Sequence, residues 1–506
     1  MISARRVALP VLLGSVCVTA MVPPSSATSA LPSTLRLATG QHGSPPLSRL
    51  DSVNTAMRAL GRAHGERVWP GFRPDTIPVA FVLPGRGTLL TGWQGAAPPG
   101  FSALDGGGLW RDEEATDAAS TSTAFDGKAT AQLVVADDAS QADLVALAFH
   151  ESFHVLQEAL RRENRRFGQG ENAFHVSTYP IFDVENEALF ALEGQLLFAA
   201  TGTQDAARRL ALAREFVGVR RKRHTRLAPE MSTFDDASEM NEGLAQYAQL
   251  RALDLLQRHG PREWRASAAR AVTRERSQLT DLTRDQRRSF RLRYYATGPA
   301  IASLLDALAS PAWKADLMSQ NSTLAGALGR VVGLDAPAEE AAARAVARVG
   351  AARLHREARA TVGTLQARRQ QQVDSVLSQP GVRVVVTLDS TGPDWGLCGF
   401  DPQNHLQVTP TVRLQTRWWK PCAGQAASAE LAVPSVHDAA ARSVSVVVGA
   451  EEGVNITADG RPLSISEGAI IAGVTAMRIT APQVTIEVSR ADVSRTGRTL
   501  HIRVRL

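Results

Sequence analysis

Two histidines four residues apart, with a glutamate directly after the first, stand at His150-Glu151-Ser152-Phe153-His154. On an α-helix, residues i and i+4 share a face, so both imidazoles can reach one metal ion. Glu151 stands beside them and can take a proton from a water at that ion. Imidazole and carboxylate ligands suit Zn2+, which lowers the pKa of its water toward ~7. The implied chemistry is metal-assisted hydrolysis, with a peptide or protein as the expected substrate. Leu147, Ala148, Ser152, Phe153, Val155 and Leu156 are uncharged, so this helix can sit inside a core. The alternative is an amphipathic helix whose histidines serve no metal.

A third protein ligand is needed, and no histidine lies six residues on. Two glutamates compete, one in Asn186-Glu187-Ala188 and one in Asn241-Glu242-Gly243-Leu244-Ala245-Gln246-Tyr247. The residues alone leave both open, because either could be a helix-face carboxylate paired with an arginine.

The His150–His154 and Glu242 segments, with Tyr294-Tyr295-Ala296-Thr297-Gly298, together resemble the gluzincin metallopeptidases, especially the aminopeptidase N and glycyl aminopeptidase families. The resemblance spans residues 129–310 and is strong only in these short segments. It implies Glu242 as the third zinc ligand and Tyr295 as hydrogen-bond donor to the developing oxyanion. It also implies a mainly α-helical, zincin-like catalytic domain. In such enzymes an edge strand before the metal helix pairs with the extended substrate, a role that falls to 129–136; a plain core strand is the alternative. The chain departs from the pattern in three ways. Thr297 stands where the family has Lys. The gap from His154 to Glu242 is long, as if a helical hairpin over 184–226 were inserted. No GxMEN-like exopeptidase segment precedes His150, so the resemblance does not extend to aminopeptidase specificity.

The elements that must position these residues can be read from periodicity. Residues 50–66 read as a helix, 77–83 and 87–93 as strands around a Pro84-Gly85 turn, and 94–127 as a long loop. The strand 129–136 runs into a helix over 141–163 that Ser140 and Asp143 can cap. Helical periodicity returns over 184–200, 203–226, 237–259, 297–309 and 336–378. Beyond Pro380-Gly381 the chain turns to short β-branched segments separated by turn residues. The expected fold is therefore multi-domain α+β. A mainly helical domain with a small N-terminal sheet covers 49–378, and an all-β domain covers 379–506.

The whole chain sets bounds on this reading. Its 506 residues exceed a single core. A net charge of +6 is mild for that length, and the arginines are spread along helices. No basic patch with interleaved aromatics is present, so nucleic acid is not an expected partner. Residues 1–30 follow the charged, apolar, small-residue order of a secretory signal, and 31–48 read as a flexible leader. The expected location is secreted or periplasmic, without stable membrane insertion. Cys17 would leave with the signal, and Cys398 and Cys422 are expected to form a disulfide. If the site were inactive, the chain would be an extracytoplasmic binding or scaffold module.

Other residues carry weaker expectations. Gln157 could brace the site, and His175 could lie near the cleft, with a surface role as its default. Glu185, Glu193 and Glu239 are expected to pair with arginines. The charge run 208–226 reads as a solvated helix face. Arg291 and Arg293 could meet a substrate carboxylate, with surface pairing as their default. Trp418-Trp419 could be a contact surface or core.

Overall fold

The computed structural model describes residues 47–505, apart from 106, 113–119, 162–166, 168–169, 283–289, 321, 334–337, 390–391, 393, 402–403 and 450–452. The expected signal, with Cys17, lies outside the described residues, as does all of the leader before Leu47. The first helix, α1, is Leu47–Val68 and buries Leu50, Val53, Met57 and Leu60. No described helix is long and apolar enough to cross a membrane.

The N-terminal sheet has six strands: β1 Val79–Leu83, β2 Gly87–Thr91, β3 Ser102–Ala103, β4 Leu109–Asp112, β5 Thr121–Phe125 and β6 Lys128–Val134. Their order is β3-β4-β2-β1-β6-β5, with β1 parallel to β6 and β5 antiparallel to β6. Two expectations are corrected here. Residues 94–127 contain three strands and are not one long loop. The strand before the metal helix is not an edge, because β5 covers it. The cause is the Asp126-Gly127 pair, both at positive φ (45° and 72°), which turns β5 back onto β6 as a tight hairpin.

Eleven α-helices complete the part before the β domain among the described residues after α1 and the sheet: α2 Gln141–Arg161, α3 Val184–Gly202, α4 Ala206–His224, α5 Pro229–Ser238, α6 Leu244–His259, α7 Arg262–Ser277, α8 Tyr294–Leu308, α9 Trp313–Ser319, α10 Leu324–Val331, α11 Ala338–Val349 and the long α12 Ala351–Leu377. The region 237–259 is not one helix, since a π-helical turn, Glu239–Gly243, joins α5 to α6. The run 336–378 breaks at Gly350, whose φ of 90° only glycine adopts readily. The helix α7 has no counterpart among the expected elements, because its Arg-rich sequence buries only Trp264, Ala268 and Ala271. Aromatic side chains fill the core behind α2. Trp69 meets Phe153 edge-on at 5.5 Å, and Phe72 meets Phe149 and Phe153 at 5.8 and 5.3 Å.

Beyond α12, thirteen strands form one hydrogen-bonded sheet around a second core that includes Val384, Val446, Trp419, Ile486 and Ile502. Cys398 and Cys422 form a disulfide with Cα atoms 5.9 Å apart. Trp419 is buried and donates to Ser435 Oγ at 2.6 Å, whereas Trp418 is half-buried beside Lys420. The protein is thus a multi-domain α+β fold, with helices and a small sheet first and an all-β domain last.

Candidate metal centre

The metal helix begins with a reciprocal cap. Asp143 N–H donates to Ser140 Oγ at 3.1 Å, and Ser140 Oγ–H donates to Asp143 Oδ2 at 2.6 Å. Within α2, Phe149 and Phe153 face the aromatic core, and the adjacent ridge carries His150 and His154. Their Nε2 atoms lie 3.2 Å apart. Glu242 comes from the π-helical turn between α5 and α6, whose wide backbone bulge is a frequent feature of functional sites. Its Oε2 lies 3.3 Å from His154 Nε2 and 3.7 Å from His150 Nε2. His150, Glu151 and Glu242 are buried and His154 is half-buried.

The donor atoms have the spacing a small cation needs. Zinc bonds of about 2.0–2.1 Å in a tetrahedral array put neighbouring ligand atoms roughly 3.3 Å apart. The three observed separations, 3.2, 3.3 and 3.7 Å, bracket that value. His150, His154 and Glu242 therefore form a cluster that could hold a metal ion, and the residues fit one. The rival Glu187 is elsewhere. It is fully buried against Arg293, whose Nη1 reaches its Oε1 at 3.0 Å.

Gln157 locks the second histidine. Its Nε2 donates to the carbonyls of Met240 and Asn241 at 2.8 and 3.1 Å. Its Oε1 must then accept, and His154 Nδ1 lies 2.8 Å from it. In the neutral ring, the proton on Nδ1 leaves the Nε2 lone pair facing the cluster. One side chain thus fixes the tautomer of one candidate ligand and ties α2 to the turn bearing another. His150 is held differently, with its ring stacked on Tyr295 at 5.8 Å and 9°.

Tyr295 also hydrogen-bonds Glu242, and burial, followed by that carboxylate's charge, pushes its phenol well above the ordinary range. It stays protonated and able to donate. Burial raises the pKa of Glu151, while the two histidines oppose the rise. Burial lowers that of His154, but Glu242 outweighs it and brings it up to about 9 without a metal. Burial likewise opposes ionisation of Glu242, and the two histidines reverse it and hold the carboxyl well below its usual range.

This has a consequence for metal uptake. His154 is raised from 6.5 to about 9, so its share of the metal-free protein's stability is complete below pH 6.5 and is lost as the pH rises through about 9. A cation must displace that proton. Uptake at pH 7.5 should release about one proton per ion, and apparent affinity should climb with pH until about 9. Calorimetry in buffers of different ionisation enthalpy reads the release directly. Zero release at pH 7.5 would contradict the His154–Glu242 pairing.

No protein-family model, curated protein or solved structure matches this chain.

Other candidates fall into place around it. Glu193 and Glu239 pair with arginines: Arg220 Nε reaches Glu193 Oε2 at 2.8 Å and Arg220 Nη2 reaches Glu239 Oε1 at 2.8 Å. Glu185 instead meets His355. The charge run 208–226 is not a solvated face throughout. Arg220 and Arg223 turn inward and are only 2% and 0% exposed, because Glu193, Glu239 and Asp235 wait for them in the core. Arg291 and Arg293 are paired internally, with Glu242 and Glu187. His175 is outside the cluster, with its Nε2 3.2 Å from Asn172 Nδ2 and its ring edge-on to Phe234. Thr297 donates to Glu239 Oε1 at 2.6 Å.

The Glu242 and Tyr295 segments meet through glycine. A Cβ on Gly243 would lie 2.7 Å from Gly298 Cα, and one on Gly298 would lie 2.5 Å from Gly243 Cα. Neither position has room for a side chain, so the backbones touch.

Proposed function

We propose that this chain is a zinc-dependent metallopeptidase of the gluzincin kind that acts outside the cytoplasm. The observation that carries the reading is Glu242 Oε2 beside the paired His150 and His154 Nε2 atoms, with Glu151 buried next to them. His150, His154 and Glu242 would hold the ion. When bound, zinc supplies a Lewis acid that acidifies water and polarises a carbonyl.

The chain's own residues supply the proton traffic and the orientation. Glu151 accepts a proton from the attacking water as its oxygen bonds to the scissile carbonyl carbon. The carbonyl π electrons move onto oxygen, and the Tyr295 hydroxyl donates a hydrogen bond to that charge. When the oxyanion collapses, the C–N bond breaks. Glu151 then passes its proton to the leaving nitrogen, so the carboxylate is regenerated. Burial raises the pKa of Glu151, which makes its carboxylate a stronger base toward that proton. Extended peptide could pair with an edge of the N-terminal sheet, and on the side next to the metal helix that edge is β5.

Metal analysis together with a peptide-library digest tests this reading on the purified chain. One equivalent of zinc and cleavage products are expected. Glu242→Ala should lose most of the bound zinc, while Glu187→Ala should keep it, at a cost in stability from the stranded Arg293. Zinc loss in the Glu187 variant with retention in the Glu242 variant would reverse the ligand assignment. Stoichiometric zinc with no cleavage of any peptide would favour an inactive binding module.

A further inference from the structure

Besides its hydrogen bond with Tyr295, Glu242 presents its two oxygens to different partners. Oε2 faces the imidazoles, while Oε1 accepts from Arg291 Nη2 at 2.8 Å and lies 3.5 Å from Asn241 Nδ2. The same Arg291 nitrogen pairs with Glu171 Oε1. The other Glu171 oxygen accepts from Ser238 Oγ at 2.5 Å. Ser238 ends α5, immediately before the π-helical turn that carries Glu242.

We propose that Arg291, anchored by Glu171, is a positioning residue that makes Glu242 a one-oxygen metal ligand and so sets which cation the centre accepts. The proposal rests on the metal-site reading above. A carboxylate free to turn can chelate through both oxygens, the mode oxygen-loving cations such as Ca2+ use. With Oε1 occupied by a guanidinium, only Oε2 is left for the centre. Four-coordinate, nitrogen-accepting ions such as zinc are then favoured over hard cations.

The surroundings make the clamp effective. The Arg291, Glu171 and Glu242 side chains are 11%, 6% and 11% exposed, so water and salt screen them little. Arginine's planar fork can serve two carboxylates at once, whereas lysine is a point charge on a flexible stem. Glu171 also neutralises Arg291, which limits how strongly the guanidinium draws charge away from the ligand. The contacts join three pieces of chain: the segment after α2, the end of α5 with its π-helical turn, and the 3-10 turn Phe290–Arg293. Oxyanion and proton transfer involve none of these groups directly, so the clamp acts through Glu242.

The test uses the metal-free full chain, titrated with zinc against a chromophoric chelator and with cobalt(II) followed by its visible spectrum. Wild type should take one equivalent and give the intense absorption of four-coordinate cobalt. Arg291→Ala should bind zinc about 10–100-fold more weakly, with a fainter cobalt band as coordination number rises. Its discrimination against Ca2+ should narrow. Arg291→Lys should fall between, and its thermal unfolding without metal reports whether the fold is kept. Glu171→Gln should weaken zinc binding in the same direction. Arg291→Ala with Glu171→Gln should be no worse than Arg291→Ala alone, because the two act as one unit. Wild-type zinc affinity and an unchanged cobalt spectrum in both Arg291 variants would overturn the clamp while leaving the metal site standing. A wild-type chain that takes up neither zinc nor cobalt would overturn the metal-site reading itself.

Discussion

On the proposed mechanism, Glu151→Gln should keep zinc and lose about 10²–10⁴-fold in kcat against a peptide substrate, the range for removing a positioned general base. Glutamine has the same shape and its amide cannot accept the water's proton. Glu151 is not one of the clustered donors, so the ion's ligands are untouched. The substitution also removes a buried carboxylate whose ionisation burial opposes, so the fold should not suffer. Metal content, thermal unfolding and kcat are to be measured on the same preparation. Full activity with zinc present would sink the mechanism, and loss of zinc would mean that Glu151 is itself a ligand.

Arg223→Met should have the largest effect on stability. Arg223 Nε donates to Glu193 Oε1 at 2.7 Å, and its Nη1 donates to Tyr179 Oη at 2.9 Å and to Asn186 Oδ1 at 3.2 Å. Its Nη2 lies 2.7 Å from Asp235 Oδ2. Burial disfavours the Asp235 carboxylate, but Arg223 together with His224 and Arg220 more than reverses this and holds its pKa well below the usual range. Methionine would leave two buried carboxylates short of a cation. Breaking such a pair costs about 3–5 kcal/mol. Urea unfolding followed by circular dichroism reads this as a lower midpoint at constant slope. Neutralising the stranded partners as well, in Arg223→Met with Glu193→Gln and Asp235→Asn, should return much of the loss. A loss under ~1 kcal/mol in the single variant would show that the network is not what holds α4 to α5, given the cost expected for a buried pair.

The parts of this site that were legible in the sequence are those that local periodicity controls. His150 and His154 fall on one ridge of a capped helix because i and i+4 always do, and the uncharged flanks placed that helix in a core. Glu242 was not readable in this way. It came from a resemblance, and the structure places it in the cluster because a π-helical turn carries it there. Gln157 was legible only as a neighbour, since its meaning depends on two carbonyls 83 and 84 positions away. Arg220 and Arg223 were misread for the same reason. An Arg-rich helix looks solvated until its acidic partners, 12–30 residues off in the chain, are known to be buried beside it. The hairpin that covers β6 left a usable signal, the Asp126-Gly127 pair, inside a stretch whose Gly and Ser content suggested loop. Glu171 carried no local sign at all.

The Gly243–Gly298 contact bears on how this centre can change. A ligand and an oxyanion partner carried on separate helices would ordinarily be spaced by side chains, and every substitution at such a seam would retune the distance. Here the spacer is main chain against main chain, with no rotamers to sample and no methyl to trade. Glu242 and Tyr295 therefore travel as one piece. Movement of surrounding loops need not alter the separation between them. The vulnerability is equally concentrated, since a single added methyl at either glycine would push the segments bearing Glu242 and Tyr295 apart.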